Sequence, residues 1–169
     1  MLVFLDTEFT DFKSPDLLSL ALVSEDGREF YCERTDYSLE DCSVFVRETV
    51  LPLFGRVSGA VCTSQQLTQR LRDWFRRLPE TATLIYDYSG DIDLFIMVAS
   101  GCPTMDLGQP VNIGQKIQLD ENTICDPIFS QGLNFTFTRE WPPHHALADA
   151  RALMAGYRVW RSYIEGVWA

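Results

Sequence analysis

Three apolar runs of strand length stand at the start of the chain. They lie at residues 1–5, 17–23 and 29–32. A polar segment at residues 25–28 separates the last two runs, and its Asp-Gly pair is a strong signal for a hairpin turn. The chain is therefore expected to open with three strands in an antiparallel meander.

Helical spacing of apolar residues marks three segments further along the chain. Residues 39–51 form the first segment, and Pro52 stops or kinks a helix at that point. The second segment begins at a cap formed by Thr63 or Ser64, and its apolar side chains recur on one face; they are Leu67, Leu71, Trp74, Phe75 and Leu78. The third is a long last helix with one apolar stripe, which comprises Ala146, Ala150, Leu153, Met154, Tyr157, Trp160 and Ile164.

Between these helices the pattern predicts a strand at residues 81–86 and a short helix at residues 91–99. Residues 101–140 are rich in Gly, Pro, Asn and Gln, so we expect a long irregular connection with two short strands near 104–107 and 134–138. A loop of that length is usually functional or mobile. The order of elements predicts one α/β domain over residues 1–169, in which helices flank a mixed sheet of about five strands.

The composition is that of an ordinary globular domain, with 46% hydrophobic and 22% charged residues. The chain has no run of about eighteen apolar residues, so no membrane span is expected. Its cysteines are odd in number and have no short paired spacing, which favours free thiols in a reducing cytoplasm over disulfides or a zinc knuckle. They are Cys32, Cys42, Cys62, Cys102 and Cys125.

Two acids, Asp6 and Glu8, follow the first apolar run. Residues i and i+2 of a strand point to the same face, so the two carboxylates would lie side by side, where burial without a partner is costly. A divalent cation resolves that conflict, and carboxylate oxygens suit Mg²⁺ or Mn²⁺. The alternative is that the strand ends at Asp6 and that both acids face water.

Asp87 follows the predicted strand at 81–86, and Asp91 lies where the next helix begins. Acids in a first helical turn are favoured by the helix dipole, so capping is one interpretation of Asp91. The other interpretation places it beside Asp6 and Glu8 as a third carboxylate.

The only two histidines of the chain, His144 and His145, follow two prolines and precede the last helix. Helical spacing pairs His145 with Asp149 at i and i+4. His144 shares that face only if it lies just outside the helix. A cap or a surface pair is the alternative to a functional site at this point.

Together these segments resemble the DEDDh superfamily of 3′–5′ exonucleases, and they are most similar to its compact stand-alone exoribonuclease branch. The first acidic motif reads Asp6-Thr7-Glu8-Phe9-Thr10. The second lies within residues 85–95, where Asp87 falls at the position of the family's Asn and Asp91 at its metal position. The third is the family's His, four residues, then Asp, which His144 and Asp149 match.

The resemblance implies an RNase H-like fold that holds two Mg²⁺ or Mn²⁺ ions about 4 Å apart. Asp6 would bridge both ions, Glu8 and Asp149 would complete the first site, and Asp91 would hold the second. His144 would be the general base that takes a proton from the attacking water. The implied reaction releases nucleoside 5′-monophosphates from the 3′ end of RNA.

Three residues near these acids are candidates for substrate contact. Phe9 either stacks on the terminal base or belongs to the core. The backbone at Phe9 and Thr10 would contact the terminal ribose, as the family pattern implies. Asp87 is an acid where the family commonly has an amide, and it could add a metal contact or replace Asp91 as the third carboxylate.

The net charge of −10 is unusual for a protein that grips long stretches of nucleic acid. Either acidity keeps a small protein dispersed, or several acids are committed to metal ions and only a few terminal nucleotides are held.

The choice of RNA rests on the resemblance alone. The alternatives are an exodeoxyribonuclease acting on single-stranded DNA and a non-catalytic, nuclease-like binding module. A homodimer is also expected, with Trp160 and Trp168 either at an interface or inside the monomer.

Overall fold

A six-stranded mixed sheet forms the centre of the computed structural model, which describes residues 1–101 and 111–167. Its strands are β1 (Leu2–Phe9), β2 (Leu17–Ser24), β3 (Glu29–Arg34), β4 (Val61–Cys62), β5 (Ala82–Tyr86) and β6 (Ile113–Gln118). The order across the sheet is β4-β3-β2-β1-β5-β6. The pairs β1–β2 and β2–β3 are antiparallel, whereas β3–β4, β1–β5 and β5–β6 are parallel.

Helices cover both faces of the sheet. They are α1 (Ser64–Arg76), α2 (Ser89–Ser100), α3 (Glu121–Ile124), α4 (Pro127–Asn134) and α5 (Ala146–Val167). Because side chains alternate along a strand, β1 contributes side chains to the hydrophobic cluster on each face of the sheet. Val3 and Leu5 pack in the cluster that includes residues of α1 and α2, whereas Phe4 packs with Phe129 of α4 and Leu153 of α5.

The predicted meander of three strands is confirmed. Gly27 takes the left-handed backbone conformation, with φ of 88°, in the turn between β2 and β3, and its N–H donates to the carbonyl of Ser24 at 2.8 Å. The cap of α1 is also as predicted, because the Thr63 hydroxyl accepts from the N–H of Gln66 while the Gln66 side chain accepts from the N–H of Thr63. The predicted elements at 81–86, 91–99 and 146–164 correspond to β5, α2 and α5.

The prediction of one helix over residues 39–51 is wrong. The segment contains a 3₁₀ turn at Leu39–Asp41, a π-helical turn at Val46–Val50 and a second 3₁₀ turn at Leu51–Leu53. The N–H of Ser43 donates to the carbonyl of Thr10 at 2.9 Å rather than to a carbonyl of its own segment. This tertiary bond interrupts the series of hydrogen bonds that a continuous helix would need. The periodicity of apolar residues alone cannot reveal such a break.

The irregular connection predicted for residues 101–140 contains β6, α3 and α4. The short strand predicted near 134–138 is wrong, because α4 extends to Asn134 and its last turn continues beyond it. The N–H groups of Phe135 and Thr136 donate to the carbonyls of Gln131 and Leu133. Asp126 caps α4, and Pro127 supplies its first residue. β6 lies at the edge of the sheet and is exposed along most of its length, so it lacks the apolar alternation of a half-buried strand. The strand predicted near 104–107 lies outside the described residues.

The four cysteines in the described part of the chain are free thiols, as expected; they are Cys32, Cys42, Cys62 and Cys125. Cys102 lies outside the described residues. Within residues 1–101 and 111–167, no helix has the length and apolar character needed to cross a bilayer.

Candidate metal centre

β1 presents Asp6 and Glu8 on the face of the sheet that α5 covers. The strand continues through both residues to Phe9, and β2 pairs with it at Asp6 and at Glu8. The alternative in which the strand ends at Asp6 is therefore wrong. The period of two that places Phe4 against α4 and α5 places the two carboxylates on the same side.

Other elements bring three more carboxylates to the same place. Asp87 follows the end of β5, Asp91 lies in the first turn of α2, and Asp149 lies in the first turn of α5. Together with Asp6 and Glu8 these acids form two groups, and Asp6 belongs to both. Each group has carboxylate oxygens within 4.8 Å of one another; the groups are Asp6, Asp87 and Asp91, and Asp6, Glu8 and Asp149. Each group could hold a cation, and Asp6 would then be a ligand in both.

The crowding of these acids strongly disfavours their ionised forms. Burial, and then the charges of the other four carboxylates, raise the pKa of Asp6 well above its usual range. Burial followed by the charges of Asp149 and Asp91 raises the pKa of Glu8 to about 8. Burial is also the main cause that raises the pKa of Asp91 and that of Asp149 to about 7, and it raises the pKa of Asp87. A divalent cation would relieve this repulsion, so the donor set fits such an ion.

Thr7 holds Asp91 from the opposite face of β1. Its hydroxyl donates to Oδ1 of Asp91 at 2.5 Å, and both side chains are buried. Sequence reasoning missed this bond, since the alternation that directs Asp6 and Glu8 towards α5 directs Thr7 towards α2. The bond shows that Asp91 is fixed by a tertiary contact and is more than a cap of its own helix.

The structure separates the two histidines. Both precede α5, which begins at Ala146, and their backbone N–H groups donate to Oδ2 of Asp149 at 2.8 and 3.1 Å. His144 is exposed and lines the cleft that contains the carboxylates. His145 is fully buried outside that lining, and its ring stacks on Tyr31 with a centroid distance of 4.8 Å. His144, lying just outside the helix, is therefore the histidine that shares the cleft with the carboxylates.

Burial makes His145 a packing residue. Desolvation lowers its pKa to about 4, so the ring is neutral near pH 7. Neither ring nitrogen has a hydrogen-bond partner among residues 1–101 and 111–167. The edge of Trp141, with a centroid distance of 5.1 Å, completes an aromatic setting for the ring.

One cleft of about 800 Å³ holds the five carboxylates and His144. Its lining also contains several aromatic rings, which come from Phe9, Phe12, Phe45, Tyr88 and Phe137. Of these, sequence reasoning singled out only Phe9. The others follow no motif or period in the sequence, and they meet only because separate loops and helices border the same cleft.

Thr10 differs from the other predicted substrate residues because it is fully buried and does not line the cleft. Its N–H donates to the carbonyl of Asp16 at 2.9 Å, and its carbonyl accepts from the N–H of Ser43. Its hydroxyl accepts from the N–H of Asp16 at 3.0 Å. Thr10 thus anchors the loop that follows β1.

Of the two tryptophans considered for a dimer interface, Trp160 lies in the C-terminal half of α5. Trp160 is half-buried within the monomer and packs beside Tyr157, with ring centroids 6.0 Å apart. Trp168 lies outside the described residues.

Known proteins similar to this chain include two 3′–5′ exoribonucleases from strains of Mycobacterium tuberculosis. Each is 33% identical to it over 85 residues, which are 50% of this chain and 51% of the relative. The similarity therefore spans about half the length of these relatives. No family model matches the chain.

A crystal structure of cell-death related nuclease 4 is similar to the whole fold. The TM-score is 0.57 at 15% sequence identity, and the similarity covers 98% of this chain and 64% of that protein. At this level of identity the likeness concerns the fold. It agrees with the predicted RNase H-like class, a mixed sheet flanked by helices, here with six strands described where about five were predicted.

Proposed function

We propose that this protein is a metal-dependent 3′–5′ exoribonuclease of the DEDDh type, which releases nucleoside 5′-monophosphates. The observation that carries the proposal is the pair of carboxylate groups that share Asp6, with His144 in the same cleft. The names of the two mycobacterial relatives support 3′–5′ exonuclease chemistry and RNA as the substrate.

Asp6, Glu8 and Asp149 would hold one divalent ion, and Asp6, Asp91 and Asp87 the other. All of these donors are carboxylates, which suit Mg²⁺ or Mn²⁺, and neither group contains the thiolates or imidazoles that favour zinc. Two such ions, when bound, would supply Lewis-acid stabilisation of the phosphoryl oxygens and of the leaving group.

His144 acts as the general base. Its ring lies in the cleft perpendicular to the ring of Phe45, with the two centroids 5.0 Å apart. Its backbone N–H donates to Oδ2 of Asp149. The imidazole takes a proton from the water that attacks the phosphorus of the last nucleotide. The P–O bond to the 3′ oxygen of the preceding nucleotide breaks, and that oxygen takes up a proton from solvent. A positioned base contributes about 10²–10⁴-fold to such a step.

Substrate contacts come from the residues around the acids. Phe9 lines the cleft next to Glu8, where its ring packs against the terminal base. Thr10 contributes through the loop that it anchors. A single chain contains all the acids of the proposed site and His144. The expected homodimer stays a prediction.

The decisive experiment is digestion of single-stranded RNA and matched DNA labelled at either end, with Mn²⁺, Mg²⁺ or a chelator. The 5′-labelled RNA should shorten one nucleotide at a time, and the 3′ label should appear first as a mononucleotide. Both should require metal. Internal cuts, or full activity in chelator, would contradict the proposal. Faster loss of DNA would make the protein an exodeoxyribonuclease, and binding without cleavage would make it a binding module.

A matched pair of variants tests the role of Asp91, and a third variant tests the role of His144. Asp91→Asn should abolish activity, whereas Asp93→Asn should not, because Asp93 is exposed on the same helix outside the cleft lining. His144→Ala should lower kcat by about 10²–10⁴-fold with little change in melting temperature, since the residue is exposed. Wild-type kcat in a folded His144→Ala protein would remove His144 as the base.

A further inference from the structure

The hydroxyl of Ser19, in β2, is buried in the middle of the sheet without a hydrogen bond. The residue is fully buried, and its Oγ has no partner in hydrogen-bonding geometry in the part of the chain that the structure describes. Buried hydroxyls nearly always have a partner, because an unpaired polar group loses its hydration without compensation. The neighbouring side chains of β2 that pack against α5 are Ala21 and Val23. Packing alone would therefore favour an alanine at position 19, and the hydroxyl indicates a second role.

Ser19 lies directly opposite Glu8. The two residues are partners in the antiparallel pair of β1 and β2, and they form the last regular pair before the register shifts between Glu8 and Phe9. Side chains of directly opposed residues point to the same face, with Cβ atoms about 4.5–5.5 Å apart. Glutamate has three side-chain torsions, so its carboxylate can reach the Ser19 hydroxyl across that gap.

The carboxylate of Glu8 lacks a donor of the kind that holds its neighbours. Asp91 accepts from the Thr7 hydroxyl, and Asp149 accepts from two backbone N–H groups. Burial and the charges of Asp149 and Asp91 raise the pKa of Glu8, and no hydrogen bond from a described residue opposes that rise. An unpaired donor and an unpaired acceptor therefore face each other across one strand pair.

Two polar side chains of β3 lie on the other side of Ser19. Glu33 is its partner in the pair of β2 and β3, and the oxygens of Glu33 accept from the N–H of Gly55 at 3.0 and 2.9 Å. The hydroxyl of Tyr31 donates to Oε1 of Glu33 at 3.0 Å. Burial and then the charge of Glu33 raise the pKa of Tyr31, and the nearby Ser19 hydroxyl opposes that rise. Glu33 is thus already satisfied, and the phenol oxygen of Tyr31 competes with Glu8 for the proton of Ser19.

We propose that Ser19 is a positioning residue of the metal centre, whose hydroxyl donates to the carboxylate of Glu8 and so orients it towards the cation. The inference rests on the proposed function. A hydroxyl bound to one oxygen restricts rotation of the carboxylate and leaves the other oxygen for the ion. Donors behind a metal ligand raise the affinity for the metal in this way. Ser19 is not a catalytic residue, because it lies behind the ligand and outside the cleft lining.

Binding of Mn²⁺ to Ser19→Ala tests the inference without a measurement of cleavage. Dissociation constants are measured by isothermal titration in two backgrounds. Asp91→Asn leaves the group that contains Glu8 and Asp149 intact, whereas Glu8→Gln leaves the group that contains Asp91 intact. In the Asp91→Asn background, Ser19→Ala should weaken Mn²⁺ binding about 10- to 100-fold. In the Glu8→Gln background, Ser19→Ala should change the affinity less than about twofold, because the partner of the hydroxyl is already gone.

Thermal melting separates positioning from ordinary stabilisation. In chelator, Ser19→Ala should melt at or above the wild-type temperature, because it removes a buried hydroxyl that has no partner. In excess Mn²⁺ it should melt below the wild type, because it gains less from the ion. Ser24→Ala is the matched control, since Ser24 is also fully buried in β2 and its hydroxyl donates to Oδ1 of Asp26 at 2.5 Å. Its melting temperature should fall by the same amount with and without Mn²⁺.

Tyr31→Phe identifies the acceptor of the Ser19 proton. It removes the competing phenol oxygen, so Mn²⁺ affinity should stay equal or increase. A loss as large as that in Ser19→Ala, equal effects of Ser19→Ala in the two backgrounds, or a lower melting temperature of Ser19→Ala in chelator would overturn the inference. A wild-type protein that binds two Mn²⁺ ions but cleaves no RNA would overturn the proposed function and leave the role of Ser19 intact. A wild-type protein that binds no Mn²⁺ would overturn both.

Discussion

The hydroxyl of Thr7 should control how tightly the second cation site holds its ion. Thr7→Val keeps the shape of the side chain but removes the donor to Asp91 Oδ1, a bond of 2.5 Å between two buried side chains. Asp91 is a ligand of the proposed site, and a divalent ion binds its ionised carboxylate. The substitution therefore acts on the form of Asp91 that the ion requires.

The magnitude follows from the kind of bond that is lost. A hydrogen bond to a charged group is worth ~1.5–3 kcal/mol, which corresponds to about 10- to 150-fold in a dissociation constant. Thr7→Val should weaken binding of one of two Mn²⁺ ions by that factor and should leave the other ion nearly unchanged, since Glu8 and Asp149 do not contact Thr7 through a hydrogen bond. Activity should fall at low Mn²⁺ and recover as Mn²⁺ is raised.

Isothermal titration with Mn²⁺ at about pH 6 measures the two sites. Asp91, with a pKa of about 7, is mostly protonated there and must ionise to bind an ion, so the loss of a bond that stabilises its ionised form appears in the affinity. Thr7→Ser retains the hydroxyl and should restore affinity. Thr68→Val is a control for the substitution itself, since the buried Thr68 hydroxyl bonds to the Ser64 carbonyl in α1. Two Mn²⁺ sites of wild-type affinity in Thr7→Val would refute the role assigned to the hydroxyl.

Two other expectations concern pH and salt. In chelator, the free energy of unfolding should fall as the pH rises from about 4 through 8, because the raised pKa values of Glu8, Asp91 and Asp149 make the folded state bind more protons than the unfolded chain. Thermal melts at several pH values should record this fall and its reduction by Mn²⁺, whereas a melting temperature that rises over this range would contradict it. KM for a single strand should rise only about 3-fold between roughly 50 and 200 mM salt, as for one neutralised phosphate, and a rise of about 100-fold would indicate basic contacts.

The sequence predicted the parts of the site that depend on local order. A period of two fixes Asp6 and Glu8 on one face, and a helix start fixes the position of Asp91. The aromatic lining of the cleft could not be predicted in this way, because Phe12 and Tyr88 come from loops whose meeting depends on tertiary bonds such as those of Thr10. β6 was not predicted for a different reason: an exposed edge strand has no apolar face, so the pattern of apolar residues does not indicate it.

The choice between His144 and His145 depends on one backbone conformation that spacing cannot reveal. His144 has φ of 68°, the left-handed region that a residue other than glycine occupies at a cost of order 1–3 kcal/mol. The N–H groups of both histidines bind Asp149 Oδ2, and these two bonds offset the cost. Asp149 therefore fixes the turn that directs one ring into the cleft and the other into the core, besides offering an oxygen to the cation site. Asp149→Ala would remove both roles at once, whereas Asp149→Asn retains an oxygen that can accept from the turn while it removes the charge. Comparing the two separates the loss of a metal ligand from the loss of the base's position.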